Sequence, residues 1–180
     1  MRSFFSVLRN DLDVTIEMTG TDGDLPGGYL AIVVSRYHES ITSKLLEGCL
    51  KTLRDAGIDD ERMIICRVPG AWELVLPAIN FASSEAIVGV IALGAVIRGE
   101  TTHDQHINRA VTVSLMNLSI NTNTAVALGL LTCNSVEQAI QRSGGSMGNK
   151  GVEAAQAMLE MLRLAVKIDE ILATDDEDAE

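Results

Sequence analysis

Aromatic side chains are scarce in this chain: Phe, Tyr and Trp together make up 3% of its 180 residues, against 47% apolar residues overall. The core must therefore be aliphatic, and a lone aromatic in a loop needs a reason other than core packing. Basic residues are also in short supply. Lys and Arg number 14 against 25 Asp and Glu, a formal net charge of −11. That balance argues against a nucleic-acid partner, because phosphate neutralisation needs clustered Lys and Arg. Much of the excess lies in the tail, where Asp175, Asp176, Glu177, Asp178 and Glu180 read as a solvated, disordered end.

Cysteine is rare too. Cys49, Cys66 and Cys133 lie far apart with no CxxC pair, which points to reduced thiols in a cytoplasmic protein and offers no metal motif. No apolar run reaches the ~18 residues that a membrane helix needs. The opening Met1-Arg-Ser-Phe-Phe-Ser-Val-Leu-Arg9 is too short and too polar for a signal peptide.

What is present is an alternation of apolar strands and amphipathic helices. Residues 1–28 read as an arm, with Val14–Met18 alternating as a strand would and a Gly/Pro-rich link after it. Tyr29–Ser35 is a continuous apolar strand of the kind a parallel sheet buries on both faces. A helix is predicted over Ile41–Ala56, then a strand over Met63–Val68. Ala71–Ser83 reads as a helix kinked at Pro77, followed by a strand over Ala86–Gly94 and a helix over Thr102–Asn121. Thr124–Cys133 is the fourth strand, Ser135–Ser143 a short helix capped by Ser135 with Gln138, and Gly144–Gly148 a break. The last helix spans about Lys150–Leu172. Four buried strands alternating with helices predict a doubly wound α/β fold with helices on both faces of a parallel sheet, in a single domain.

The chain is organised around Ala92–His106. An apolar strand runs into the polar turn Arg98-Gly99-Glu100, and a helix opens at Thr101 or Thr102, where Thr102 and Gln105 fit a capping box. Unpaired N–H groups of such a turn, with the positive end of the helix dipole, form an anion site. His103 falls in the first helical turn, where a proton can be traded beside that anion. Ligands of open α/β sheets bind at strand carboxyl ends.

Four strand ends bring special residues to that edge. Tyr37 is either a surface aromatic or a platform for a flat ring. Glu73 is either a carboxylate favoured by the helix dipole or an acceptor for hydroxyl groups. His103 and His106 lie three apart, but two His without a third spaced ligand make a weak metal site, and proton transfer by His103 fits better. Arg142 either complements a helix dipole or clamps a phosphate. Gly144–Gly151 is not a phosphate loop, since it departs from GxxxxGK[ST].

These residues resemble one family, the 6,7-dimethyl-8-ribityllumazine synthases. The resemblance runs from about Leu30 to Leu162. It is carried by Arg36-Tyr37-His38 with Ile41-Thr-Ser-Lys-Leu-Leu46, by Val68-Pro-Gly-Ala-Trp-Glu73, by Leu93-Gly-Ala-Val-Ile-Arg-Gly-Glu-Thr-Thr-His103, and by Val136-Glu-Gln-Ala-Ile140 with Arg142 and Gly148-Asn-Lys-Gly151. It implies a flavodoxin-like three-layer α-β-α sandwich over residues 29–172, with a four-stranded parallel sheet and an N-terminal arm strand within 1–28; the arm is longer than the family's usual one, and the acidic tail at 173–180 has no counterpart in the family. It implies a transferase of riboflavin biosynthesis that condenses 5-amino-6-(D-ribitylamino)uracil with 3,4-dihydroxy-2-butanone 4-phosphate, without cofactor or metal.

By the same resemblance Tyr37 stacks on the pyrimidine, Ala71, Trp72 and Glu73 hold the ribityl chain, and Ala95, Val96 and Ile97 line the pyrimidine pocket. Gly99, Glu100 and Thr101 meet the phosphate and His103 is the general acid/base. Arg142, with Lys150 near it, reaches the phosphate from a neighbouring subunit. The resemblance further implies pentamers closing into a 60-mer of 12 pentamers, with riboflavin synthase a candidate partner. Three positions depart from the family pattern: Tyr37 and Leu128 stand where Phe is usual, and Ala125 where Pro is common. Leu128 leaves open an alternative, a shell-forming or flavin-binding homologue with weak catalysis.

Overall fold

A computed structural model describes residues 16–177 of the chain. Its centre is a four-stranded parallel sheet made of β1 (Tyr29–Ser35), β2 (Met63–Val68), β3 (Ile87–Ile97) and β4 (Ala125–Cys133), in the order β2-β1-β3-β4. The helices are α1 (Glu39–Asp55), α2 (Val75–Ala82), α3 (His103–Thr122), α4 (Val136–Gln141) and α5 (Lys150–Glu177). The three-layer α/β architecture read from the sequence is thus the one observed. Strand order reverses between β1 and β3, which opens a crevice at their carboxyl ends.

Side-chain alternation along the strands splits the core in two. Ala31, Val33, Ala92, Val96 and Leu130 face one side and pack with Leu74, Ala78, Val111, Leu115 and Leu118 of the α2 and α3 region. Ala95, Leu131 and Cys133, one residue out of phase, face the other side and meet Ile41, Leu45 and Ala139 of α1 and α4. β1 is buried along its length after Tyr29, as a central parallel strand should be. On this second side α5 begins so close to α1 that a Cβ on Gly151 would collide with the Leu45 carbonyl. Asn149 ties the same junction by donating to the Lys44 carbonyl at 2.9 Å and capping Gly151 N–H at 2.8 Å.

Several local expectations are corrected. The predicted Ala71–Ser83 helix is a 3₁₀ turn, Trp72–Leu74, followed by α2; Pro77 sits in the first turn of α2, where a missing N–H costs nothing. Strand β3 continues three residues past Gly94, to Ile97. The break at Gly144–Gly148 contains a small antiparallel pairing of Ser143–Gly145 with Gly148–Asn149. Helix α5 continues to Glu177, past Leu172 where its apolar periodicity ends. Ile16–Met18, part of the expected arm strand, form no strand, while Val14 and Thr15 lie outside the described residues.

Residues 27–159 form one compact unit. Residues 16–26 with 160–177 form another, within which the Lys167 ammonium donates to Asp22 Oδ1 at 2.6 Å and to the Thr19 carbonyl at 2.9 Å. That bond and the Lys167 charge hold the Asp22 carboxyl below its ordinary range. Among the described residues no helix is long and apolar enough to cross a membrane.

Candidate active site

The cleft is built by three strand ends. After β1, Arg36 N–H donates to the Val68 carbonyl at 2.8 Å and Tyr37 N–H to the Pro69 carbonyl at 3.0 Å, so the β1–β2 pairing is extended into the loop. This anchors the Tyr37 backbone while the residue as a whole stays 67% exposed. After β2, Pro69-Gly70 leads into the 3₁₀ turn. Fully buried Leu74 roots that turn in the core, and Trp72 and Glu73 project from it. A Cβ at Gly70 would lie 3.0 Å from Glu73 Oε2, so the glycine leaves room for the carboxylate to fold over the loop. After β3, Arg98 N–H donates to the Cys133 carbonyl at 2.9 Å, and Gly99–Thr102 swing into α3.

One correction concerns the start of α3. The expected capping box does not form: Thr102 is the N-cap residue but makes no side-chain cap bond. Instead Thr101 Oγ1 accepts from His103 N–H at 3.4 Å, and Gln105 N–H bonds the Thr102 carbonyl at 3.1 Å. At Ser135 the predicted cap does form, with Ser135 Oγ accepting from Gln138 N–H at 3.3 Å, while Gln138 Oε1 reaches one residue further back and accepts from Asn134 N–H at 2.8 Å. The start of α3 thus borders the cleft, with Gly99, Thr101 and His103 in its wall.

A single cavity of about 480 Å³ joins these segments. Its wall contains Tyr37, Ala71, Trp72, Glu73, Ala95, Val96, Ile97, Gly99, Thr101 and His103. Ten of the residues singled out from the sequence therefore meet in one place. Glu100 is exposed beside the cavity but is not part of its wall.

The remaining three residues lie elsewhere. Arg142 and Lys150 line a second hollow of about 550 Å³ with Thr132, Glu137, Gln138 and Gln141. There Lys150 Nζ bonds Glu153 Oε2 at 2.8 Å. The Glu137 carboxyl is held below its ordinary range by its own backbone N–H and by the Ser135 hydroxyl. Leu128 is 42% exposed on β4, the sheet's edge strand, and lines neither cavity.

Sequence reasoning missed four wall residues, His38, Gly70, Asp104 and Ile107. His38 stood inside the first motif with no role given to it. Asp104 carries a buried Oδ1 without a hydrogen-bond partner, an acceptor on the cavity wall, and only its place on the inward stripe of α3 could have signalled it. Among the described residues no group of three or more His, Cys, Asp and Glu is placed to hold a metal ion.

An open parallel sheet with a cleft at its switch point, lined by an aromatic ring, carboxylates and histidines, defines an α/β protein of the flavodoxin-like class. Comparison with known proteins narrows that class. Residues 28–165 match the family model of 6,7-dimethyl-8-ribityllumazine synthase. A curated relative from Rhodopirellula baltica, named 6,7-dimethyl-8-ribityllumazine synthase, is 53% identical over 149 residues, covering 83% of this chain and 96% of its own. The chain belongs to the 6,7-dimethyl-8-ribityllumazine synthase family.

Proposed function

We propose that this chain condenses 5-amino-6-(D-ribitylamino)uracil with 3,4-dihydroxy-2-butanone 4-phosphate to 6,7-dimethyl-8-ribityllumazine, the penultimate step of riboflavin biosynthesis. The observation that carries this is the one cavity in which an exposed aromatic ring, a hydroxyl acceptor, a helix N-terminus and a histidine converge. Tyr37 offers a π-face to the pyrimidine and Glu73 accepts from the ribityl hydroxyls, with Ala71 and Trp72 flanking the same chain. Ala95, Val96 and Ile97 present strand-end backbone groups to the ring edge. Gly99, Glu100 and Thr101 with the first turn of α3 receive the phosphate.

The uracil amine attacks the ketone, and water leaves to form the Schiff base. The phosphate is then eliminated, and ring closure expels a second water. Each step moves a proton, and His103, in the first turn of α3 beside the phosphate end, is the group suited to carry it. Fixed N–H donors at the leaving phosphate stabilise charge that develops there. Incubating the purified protein with both substrates and following lumazine fluorescence tests the assignment; no lumazine formed at micromolar enzyme would refute it.

Among the described residues no Lys or Arg lines the cleft wall, which supports a shared site. In this reading Arg142, Lys150 and Leu128 reach the cleft of a neighbouring copy in a heterologous ring. Exposed Val113, Met116 and Ile120 on α3 give the assembly an apolar stripe to cover. The ring is a pentamer, and twelve pentamers close into a shell of sixty copies. Light scattering that shows a monomer or dimer would refute both levels of assembly. The action belongs to the cytoplasm, and riboflavin synthase, which would consume the product, is the partner to test by co-sedimentation.

A further inference from the structure

We propose that His38 is a positioning residue that holds the Tyr37 ring in its stacking orientation. The inference rests on the reading of Tyr37 as the platform for the pyrimidine. His38 occupies the N-cap of α1 with φ 59° and ψ 50°, the left-handed region. Glycine or asparagine would adopt that conformation more readily, and a side chain such as serine or aspartate would normally cap the helix there. His38 does neither job: its side chain makes no cap bond, and its carbonyl alone receives Ile41 N–H at 2.8 Å and Thr42 N–H at 3.0 Å. A non-glycine residue held in the left-handed region beside the cleft, with no capping role for its side chain, points to another use for that side chain.

The use is visible in the ring contact. The His38 and Tyr37 rings meet edge to face, with centroids 4.6 Å apart and planes at 73°, the only ring pair among the described residues. Both rings line the cavity. With the residue 67% exposed, the Tyr37 ring has little packing to restrict its torsions. The backbone anchor at Pro69 fixes where the ring starts, and His38 fixes which way it faces. Restricting the ring before binding removes part of the ordering cost that stacking would otherwise carry.

The test is a double-mutant cycle read by the affinity for the fluorescent lumazine product, measured by titration of assembled protein. His38→Asn tolerates the left-handed backbone and removes the ring; His38→Phe keeps a ring. His38→Asn should weaken lumazine binding about two- to tenfold, the range an aromatic pair contributes, and His38→Phe should stay within about twofold of the parent. In a Tyr37→Ala background, already weakened, His38→Asn should cause no further loss. An equal loss in both backgrounds would mean that His38 contacts the ligand directly, and would overturn the proposal. No loss from His38→Asn while Tyr37→Ala weakens binding would also overturn it, with the stacking reading intact. If Tyr37→Ala leaves affinity unchanged, the stacking reading itself falls and the proposal with it. Urea midpoints of each variant separate these outcomes from loss of fold, since His38→Asn should unfold no earlier than the parent.

Discussion

Gly70→Ala separates the fold from the site. Gly70 does not have a positive φ, so alanine fits its backbone. The substitution should add about 0.4–1 kcal/mol of stability by restricting the unfolded chain. The cost lies in one contact: the new Cβ would sit 3.0 Å from Glu73 Oε2. That neighbour is the far end of a flexible side chain, so the carboxylate moves aside by a few tenths of an ångström and the core is untouched. If Glu73 accepts the ribityl hydroxyls, the shift lengthens hydrogen bonds to a charged group, each about 1.5–3 kcal/mol. Partial loss of such bonds should raise the KM for the uracil substrate about three- to tenfold, while Glu73→Ala should raise it further, by about ten- to a hundredfold. The assay pairs urea unfolding with steady-state kinetics in both substrates. A KM unchanged by Gly70→Ala, together with stability lowered by more than about 1 kcal/mol, would mean that the loop and not the carboxylate meets the added methyl.

Three further outcomes are expected. His103→Ala should lower turnover while leaving the fold intact, and a chelator should leave the parent's activity unaffected; activity lost to chelator and restored by zinc would refute the proton-carrier role. Leu128→Phe should lower the KM for the uracil substrate if the neighbour's cleft regains a ring, by at most the ~1–3 kcal/mol of a base–aromatic stack; a rise would mean that the pocket has closed around leucine. Iodoacetamide added to native protein at pH 8 should label half-buried Cys66 first, as read by peptide mass spectrometry. Cys49 is fully buried, and burial pushes its thiol up to about 12. Burial also raises the Cys133 thiol, although Arg142 opposes it.

Much of this molecule could be read from its residues because parallel strands buried on both faces announce themselves. Tyr29–Ser35 and Thr124–Cys133 are nearly unbroken apolar runs, and the observed strands match them within a residue. Seven of the ten cleft residues were legible because they lie in strand-end segments that sheet topology brings together, whereas Ala95, Val96 and Ile97, inside the longer β3, entered only through the family resemblance. The misreadings share a different cause, a local choice between two similar options. Thr101 and Thr102 could each serve the helix start, and the bond went to Thr101 Oγ1. Pro77 fits a kink or a first turn, and a preceding 3₁₀ turn decided for the latter. The Ser143–Asn149 pairing was hidden because glycine-rich segments carry little side-chain pattern. His38 was passed over since nothing in a residue type reveals a left-handed backbone. Arg142, Lys150 and Leu128 stand apart from the cleft; under the proposed shared site they would reach the cleft of a neighbouring copy, which the geometry of one chain does not express.

The most direct test of the account mixes two damaged proteins. His103→Ala breaks the half of the site that carries the cleft, and Arg142→Ala breaks the half proposed to come from a neighbour. Each should be nearly inactive as a pure assembly. Unfolded together in equal amounts and reassembled, randomly mixed subunits form about a quarter of interfaces with an intact cleft facing an intact Arg142, by the symmetry of a heterologous ring. Lumazine formation should return to about a quarter of the parent rate. A mixture as inactive as its parents, with mixed assembly verified by mass, would show that the active site lies within one chain.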